Sequence, residues 1–353
     1  MINVAVVGAT GYAGEELIKV LLRHPGVKIT SVSAKIDKPQ KISEIFPAFK
    51  GSLDLVCAGP DIKEILEKSE VVFLALPHRV SMEYAPEFLK AGKKVIDLSA
   101  DYRLKDTNVY EKYYGVKHKN AALIKEAVYG LPELYREKIK QARFIANPGC
   151  YPTGAILGIA PALFPEGGKN LIEDDILIDA KSGVSGAGRP ASAGASAGQQ
   201  ALASLSFCEV NENLKAYKIN EHQHMPEINQ ELSNIAGKEI SVTFVPHLIP
   251  INRGILSTIY LKLKKNLTTE VLLEFYKNFY KREPFVRIYE QGAYPQIKDV
   301  VNTNFCDIGI KVDRDKGLAI VVSCIDNLSK GAAGQALQNM NIICGLKETE
   351  GLL

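Results

Sequence analysis

The chain has 353 residues, enough for two domains of ordinary size, and its 46% hydrophobic and 24% charged composition is that of a water-soluble globular protein. A net charge of +3, spread over interspersed signs, gives no electrostatic case for a nucleic-acid or membrane partner. The six cysteines lie far apart, with no C-x-x-C pair and no Cys/His ligand spacing, so neither a disulfide framework nor a zinc site is indicated.

Residues 2–7, INVAVV, read as a buried strand that starts at once, with no basic segment leading into a long apolar stretch. No apolar run approaches about 18 residues, and a cytoplasmic protein is the expectation. Gly8 closes the strand, and Leu17, Leu21 and Leu22 then recur at helical spacing. Further apolar runs follow at 27–34, 71–77, 94–100 and 143–149, with helical patterns such as IKEILEKS and VSMEYAPEFLKAG between several of them. Short buried strands alternating with helices predict a parallel sheet covered on both faces.

Beyond about residue 165 the pattern changes. Strand candidates DILIDAKSG, ALASLSFCEV, EISVTFVPHLIP, GILSTIYLKLK, PFVRIYE, CDIGIKVD and LAIVVSCID cluster, with one strong helix, TEVLLEFYKNFYKRE, among them. That succession predicts an α+β domain on a mixed or antiparallel sheet. The last segment, GAAGQALQNMNIICGL, reads as a helix returning to the first domain. The small-residue stretch 181–200 sits between strands and reads as an ordered loop near a ligand.

GATGYAG, residues 8–14, stands between the first strand and the first helix, the context a dinucleotide fingerprint requires. Gly8, Gly11 and Gly14, with Thr10 and Tyr12 between them, let backbone N–H groups approach a pyrophosphate at the helix N-terminus. The second strand ends in SVSAKIDK, where Ser31, Ser33 and Lys35 precede Asp37. A carboxylate at the strand end accepts from a ribose 2′-hydroxyl, whereas a small polar residue and a cation suit a 2′-phosphate, so NADP is favoured over NAD.

FIANPGCYPTGAIL, residues 144–157, places Cys150 after a Pro-Gly turn and before an apolar helix. A thiol there feels the positive end of the helix dipole, which favours the thiolate and raises its nucleophilicity. The other five cysteines, Cys57, Cys208, Cys306, Cys324 and Cys344, lie in or beside apolar segments and are expected to be buried. An acid/base partner is offered by NEHQHMPEI, where His222 and His224 stand two apart on the same side of an extended segment. No third ligand lies near them, so a metal is not indicated, and spacing alone does not choose between the two histidines. Arg103 in DLSADYRL and Arg253 in PHLIPINRGILST lie at strand edges and suit a substrate carrying phosphate or carboxylate groups.

Taken in order, GATGYAG, LALPH, DLSADYRL, YGLPELYR, NPGCYPT, KSGVSGAGR, HQHMPEI, PHLIPINRGILST, NFCDIG and DNLSKGAAGQALQNMN resemble the N-acetyl-gamma-glutamyl-phosphate reductase family (N-acetylglutamate-semialdehyde dehydrogenases) over nearly the whole chain. More distantly they resemble aspartate-semialdehyde dehydrogenase. The resemblance implies an α/β Rossmann NADP-binding domain over 1–148 plus 327–353, and an α+β catalytic and oligomerisation domain with a mixed sheet over 149–326. It implies NADPH-dependent reductive dephosphorylation of N-acetyl-glutamyl 5-phosphate to N-acetylglutamate 5-semialdehyde, in arginine biosynthesis, by a cytoplasmic homo-oligomer, a dimer or tetramer.

By the same resemblance, Cys150 is the nucleophile and His224 the acid/base, with Arg103, Arg253 and His222 as substrate contacts. Ser182, Gly183, Asn327, Lys330 and Gly331 join Gly8, Thr10, Gly11, Tyr12, Gly14, Ser33 and Lys35 around the cofactor. The family more often has arginine at the positions of Lys35 and Gln223. Lysine keeps the charge for a 2′-phosphate but lacks the planar fork. The competing readings are a carrier-linked acyl-phosphate reductase of lysine biosynthesis, a non-catalytic NADP(H)-binding sensor, and a cysteine hydrolase or acyltransferase that would leave the glycine loop without a purpose.

Overall fold

The computed structural model describes residues 1–164, 170–189 and 207–353, which divide into two compact units, 1–149 with 332–353, and 150–331. In the first unit eight strands run in chain order: β1 Ile2–Val7, β2 Val27–Ser33, β3 Gln40–Lys41, β4 Val56–Cys57, β5 Val71–Leu74, β6 Lys94–Asp97, β7 Val128–Tyr129 and β8 Phe144–Ala146. Six of them form a parallel sheet of order β2-β1-β5-β6-β8-β7, and β3 and β4 pair separately. Successive side chains of these strands enter opposite cores, as the period of a strand demands. Val4 and Val6 pack with Leu17, Leu21, Phe73 and Ile96 on one face. Ala5 and Val7 pack with Val72, Leu74, Phe88 and Val95 on the other. The C-terminal helix Gly334–Ile343 adds Leu337 and Met340 to the first of these cores.

The second unit carries β9 Ile172–Ser182, β10 Lys215–Ala216, β11 Val242–Leu248, β12 Ile255–Leu263, β13 Val286–Ile288, β14 Cys306–Asp313 and β15 Leu318–Ile325. They form a mixed sheet of order β10-β11-β9-β12-β15-β14-β13, parallel at β11/β9 and β13/β14 and antiparallel elsewhere. Helix Cys150–Leu163 lies on this sheet so closely that a Cβ on Gly158 would stand 2.6 Å from Ile259 Cδ1. Two phenols of helix Thr269–Tyr280 hold it there, Tyr276 donating to the Gly158 carbonyl at 2.7 Å and Tyr280 to the Leu157 carbonyl at 2.6 Å.

Several local expectations are corrected. The stretch 207–210, read as the end of a strand, is a helical turn, and 201–206, like the loop segment 190–200, lies outside the described residues. Three helices, Thr107–Tyr114, Ala121–Glu126 and Pro132–Gln141, intervene between β6 and β8, a stretch to which the sequence reading assigns no element. Cys208 is exposed and Cys344 half-buried, while Cys57, Cys306 and Cys324 are buried as expected. The Phe207–Val210 turn buries Val210 and leaves Cys208 outside, and Cys344 stands at the end of its helix.

Candidate functional site

At the end of β1 the backbone turns through Gly8 at φ +96, and a Cβ there would collide with the carbonyl oxygen of Ala75. A Cβ on Gly14 would likewise strike the Gly8 carbonyl oxygen, so both positions require glycine, whereas Gly11 has ordinary clearance. The Gly8 and Ala9 N–H groups donate to the Ser33 carbonyl at 2.7 and 3.0 Å, tying this loop to the end of β2. Thr10 and Tyr12 stand on the same turn, which opens helix Tyr12–Leu22. β1 lies between β2 and β5, the point at which the strand order reverses and where sheets of this kind bind dinucleotides. Ser33 is buried, yet its hydroxyl has no hydrogen-bond partner among the described residues, and Lys35 is exposed two residues further on. A hydroxyl and a cation at the end of β2, in place of a carboxylate, fit a phosphorylated ribose.

The DLSAD stretch after β6 is built on two wholly buried carboxylates. Asp97 accepts from the Ser99 N–H at 3.0 Å and from its hydroxyl at 2.8 Å. Burial first, and the Asp101 charge second, push the Asp97 carboxyl up from its ordinary 3.8 to about 7. Asp101 accepts from the N–H groups of Arg79 and Met82 at 2.7 and 3.2 Å and from the Tyr110 hydroxyl at 2.8 Å. These bonds hold Arg79 in a left-handed conformation, φ +76, in the loop after β5.

Arg103 is buried, at 4% exposure, rather than presented at an open strand edge. Its Nε donates to the Asn147 carbonyl and one Nη to the Leu98 carbonyl, each at 2.7 Å. The guanidinium therefore clamps the chain beyond β6 to the chain beyond β8, three residues before Cys150. That placement supports a structural role for these two donors.

In the second unit Cys150 is the first residue of a fourteen-residue helix, half-exposed at its positive end, and none of the six cysteines is in a disulfide. Gly331 packs onto it, and a Cβ at Gly331 would lie 2.7 Å from Cys150 Cβ. The loop beyond β9 and the loop leading from β11 into β12 meet backbone to backbone, since a Cβ on Gly183 would come within 2.8 Å of the Asn252 carbonyl. Asn327 joins them, accepting from the Gly254 N–H at 2.6 Å and donating to the Ser185 hydroxyl at 2.9 Å. Ser182 is buried at the end of β9, and Arg253 donates through Nε to Asp326 at 2.9 Å. Lys330 is wholly buried in the π-helical turn Ser329–Ala333, its ammonium 5.6 Å from the centre of the Phe285 ring.

The two histidines lie in a turn at the start of helix Met225–Ala236, not on an extended segment, and their rings are 4.9 Å apart. The His224 N–H donates to His222 Nδ1 at 3.0 Å, so the proton of a neutral His222 sits on Nε2. Nε2 faces the Tyr217 hydroxyl at 3.5 Å, and that hydroxyl meets the Tyr151 hydroxyl at 3.1 Å. The Tyr151 ring, next in sequence to Cys150, lies 5.3 Å from His222 and 5.9 Å from His224. Burial, with Tyr217 second, holds the Tyr151 phenol well above its ordinary value, and burial lifts Tyr217 to about 12, so both stay protonated at neutral pH. Tyr151, Tyr217 and Asp326 were not singled out by the sequence pattern. The available signal was an aspartate between an apolar strand and a turn, in IVVSCIDNLS. Among the described residues no group of three or more His, Cys, Asp or Glu side chains could hold a metal ion.

Two family models match the chain: residues 3–142 match the semialdehyde dehydrogenase NAD-binding domain and residues 150–327 the semialdehyde dehydrogenase dimerisation domain. Solved structures share the fold. The aspartate semialdehyde dehydrogenase II of Vibrio cholerae, complexed with ASA, aligns with a TM-score of 0.71 at 18% identity, covering 98% of each chain. The Candida albicans aspartate semialdehyde dehydrogenase with NADP aligns with a TM-score of 0.70 at 17% identity, again over 98% of each chain. The class is therefore that of the semialdehyde dehydrogenases, oxidoreductases with a nicotinamide-dinucleotide domain.

Curated relatives narrow it. The N-acetyl-gamma-glutamyl-phosphate reductase of Pelotomaculum thermopropionicum is 49% identical over 99% of this chain and 97% of its own. That of Citrifermentans bemidjiense is 49% identical over 100% and 98%. The chain belongs to the N-acetyl-gamma-glutamyl-phosphate reductase family.

The Arg103 clamp has a measurable cost of removal. Arg103→Met deprives the buried Asn147 carbonyl and the part-buried Leu98 carbonyl of a charged donor and is expected to lower the free energy of unfolding in urea by roughly 2–4 kcal/mol. Arg103→Lys, with one point donor, recovers only part of that loss. A change below about 0.5 kcal/mol in Arg103→Met, the level of ordinary surface substitutions, would contradict the clamp.

Proposed function

We propose that the chain catalyses NADPH-dependent reductive dephosphorylation of N-acetyl-glutamyl 5-phosphate to N-acetylglutamate 5-semialdehyde and phosphate, a step of arginine biosynthesis, in the cytoplasm. The observation that carries this reading is Cys150 at the start of its helix, with Tyr151 packed against the histidine pair, in a chain whose other unit holds the glycine loop. No helix among the described residues is long and apolar enough to cross a membrane.

The Cys150 thiolate attacks the acyl carbon, forming the carbon–sulfur bond. The tetrahedral adduct collapses with cleavage of the carbon–oxygen bond, and phosphate leaves with the electron pair. Bound NADPH supplies the hydride that reduces the resulting thioester. The helix N-terminus at Cys150 offers backbone N–H groups to the oxygen on which negative charge develops. Thiolate is then expelled as the aldehyde forms. His222 is committed at Nδ1 to the His224 N–H, which leaves His224 as the acid/base and His222 as the residue that sets its position. Arg253 receives the substrate carboxylate. Ser33 and Lys35 favour NADP over NAD, since no carboxylate stands at the end of β2.

The chain works as a homo-oligomer. The mixed-sheet face turned away from helix Cys150–Leu163 carries Leu177, Val245, Tyr260, Ile320 and Val322, all partly exposed and neighbours across strands. A second copy covers this face, in keeping with the dimerisation-domain match. Equilibrium sedimentation of the protein is expected to give a dimer or a multiple of it, and a monomer at micromolar concentration would contradict this.

In the direction convenient to assay, N-acetylglutamate semialdehyde, phosphate and NADP are expected to yield NADPH, followed by its absorbance. Cys150→Ser is expected to reduce the rate by several orders of magnitude while NADPH still quenches or enhances fluorescence on binding. Absence of phosphate-dependent NADPH formation refutes the activity, and activity surviving in Cys150→Ser refutes the thioester.

A further inference from the structure

We infer that Asp326 is a positioning residue that sets Arg253 and the backbone against Cys150 together, an inference that rests on the proposed function for its kinetic consequences. Asp326 directly follows β15 and is wholly buried. One carboxylate oxygen accepts from the N–H groups of Leu328 and Ser329 at 2.8 and 3.1 Å. The other accepts from the Asn302 N–H at 2.6 Å and from Arg253 Nε at 2.9 Å. The Asp326 main-chain carbonyl accepts from the Gly331 N–H at 2.9 Å. A single residue thus closes the 326–331 loop from both its side chain and its main chain, and ties in the turn at 302 and the strand-end arginine.

Two consequences follow for the reacting groups. Gly331 is the residue whose Cβ would fall 2.7 Å from Cys150 Cβ and 3.1 Å from its Cα, so the placement of the loop sets the room around the nucleophile. Arg253 has its Nε edge turned to Asp326, which fixes the plane of the guanidinium and hence the direction in which its Nη groups point. Misplacement of a catalytic group by about 1 Å can cost about 10²-fold in rate. A buried carboxylate accepting from four N–H groups is the means by which this loop avoids that displacement.

The inference separates from ordinary stability by a paired experiment. Asp326→Asn keeps the volume and one acceptor but turns an NH2 toward donors that need an oxygen. It is expected to slow alkylation of Cys150 by iodoacetamide about tenfold, to lower kcat by about 10²-fold and to raise KM for the acyl phosphate, because loop and arginine both move. Gly331→Ala leaves the Asp326 carboxylate and Arg253 unchanged but sets a methyl 2.7 Å from Cys150 Cβ, and is expected to slow alkylation and lower kcat with KM for the acyl phosphate unchanged.

Alkylation is measured without substrate, so it reports on Cys150 even if the proposed reaction is wrong. Wild-type alkylation and kinetics in both variants would overturn the inference. So would an Asp326→Asn protein that loses thermal stability alone. If Asp326→Asn does not accumulate folded, Gly331→Ala decides, and alkylation at the wild-type rate there overturns the inference.

Discussion

The second unit depends on how closely one helix lies on its sheet. Helix Cys150–Leu163 is apolar on every side, and every residue after Cys150 in it is buried. Gly154 and Gly158 let it approach Ser323 and Ile259, and the Tyr276 and Tyr280 hydroxyls take two of its carbonyl oxygens. A helix with no solvent face has no freedom to roll or slide without opening a cavity. Its first residue is therefore held at a defined place on the edge of the sheet, and that residue is Cys150. The tyrosine that follows it in the sequence carries the same restraint to the histidine turn.

The chemistry explains the choice of groups. Reduction of an acyl phosphate to an aldehyde needs a carrier for the acyl group that is a strong nucleophile, a good leaving group and a poor donor of electrons into the carbonyl. A thiolate meets all three requirements, and a thioester is a better hydride acceptor than an oxygen ester. The histidine turn supplies an imidazole whose neighbour is fixed by a main-chain hydrogen bond, and two neutral phenols stand behind that neighbour. The first unit contributes a different kind of preorganisation, in which missing Cβ atoms at Gly8 and Gly14 let the main chain itself form the floor of the dinucleotide loop.

Much of this was legible in the residues because local and tertiary preferences agree. INVAVV and CDIGIKVD form strands with the bounds their patterns suggest, and the glycine loop and Cys150 stand at the junctions their neighbours require. Where the signals were weak, tertiary structure decided. PELYREKIKQ carries only a sparse apolar stripe, Pro132, Tyr135 and Ile139 at i, i+3 and i+7, in an otherwise polar segment, and burial of Pro132 and Ile139 with Tyr135 against the core gives it a helix face. The spacing of His222 and His224 suits an extended segment as well as a turn, and the helix starting at Met225 settled the matter. An arginine carries no sequence mark of burial, so nothing in the sequence shows that two of the Arg103 donors serve the main chain. Asp326 went unnoticed for the same reason: its partners are N–H groups, which every residue but proline has.

The central claim is that the acyl group passes through Cys150. The direct measurement is a rapid mixing of the protein with N-acetyl-glutamyl 5-phosphate in the absence of NADPH, followed by phosphate quantitation and mass analysis of the peptide carrying Cys150. The account predicts a burst of about one phosphate per chain and an N-acetylglutamyl adduct on Cys150 that disappears when NADPH is added. Phosphate release only after NADPH is added, or an adduct on any other residue, would contradict it.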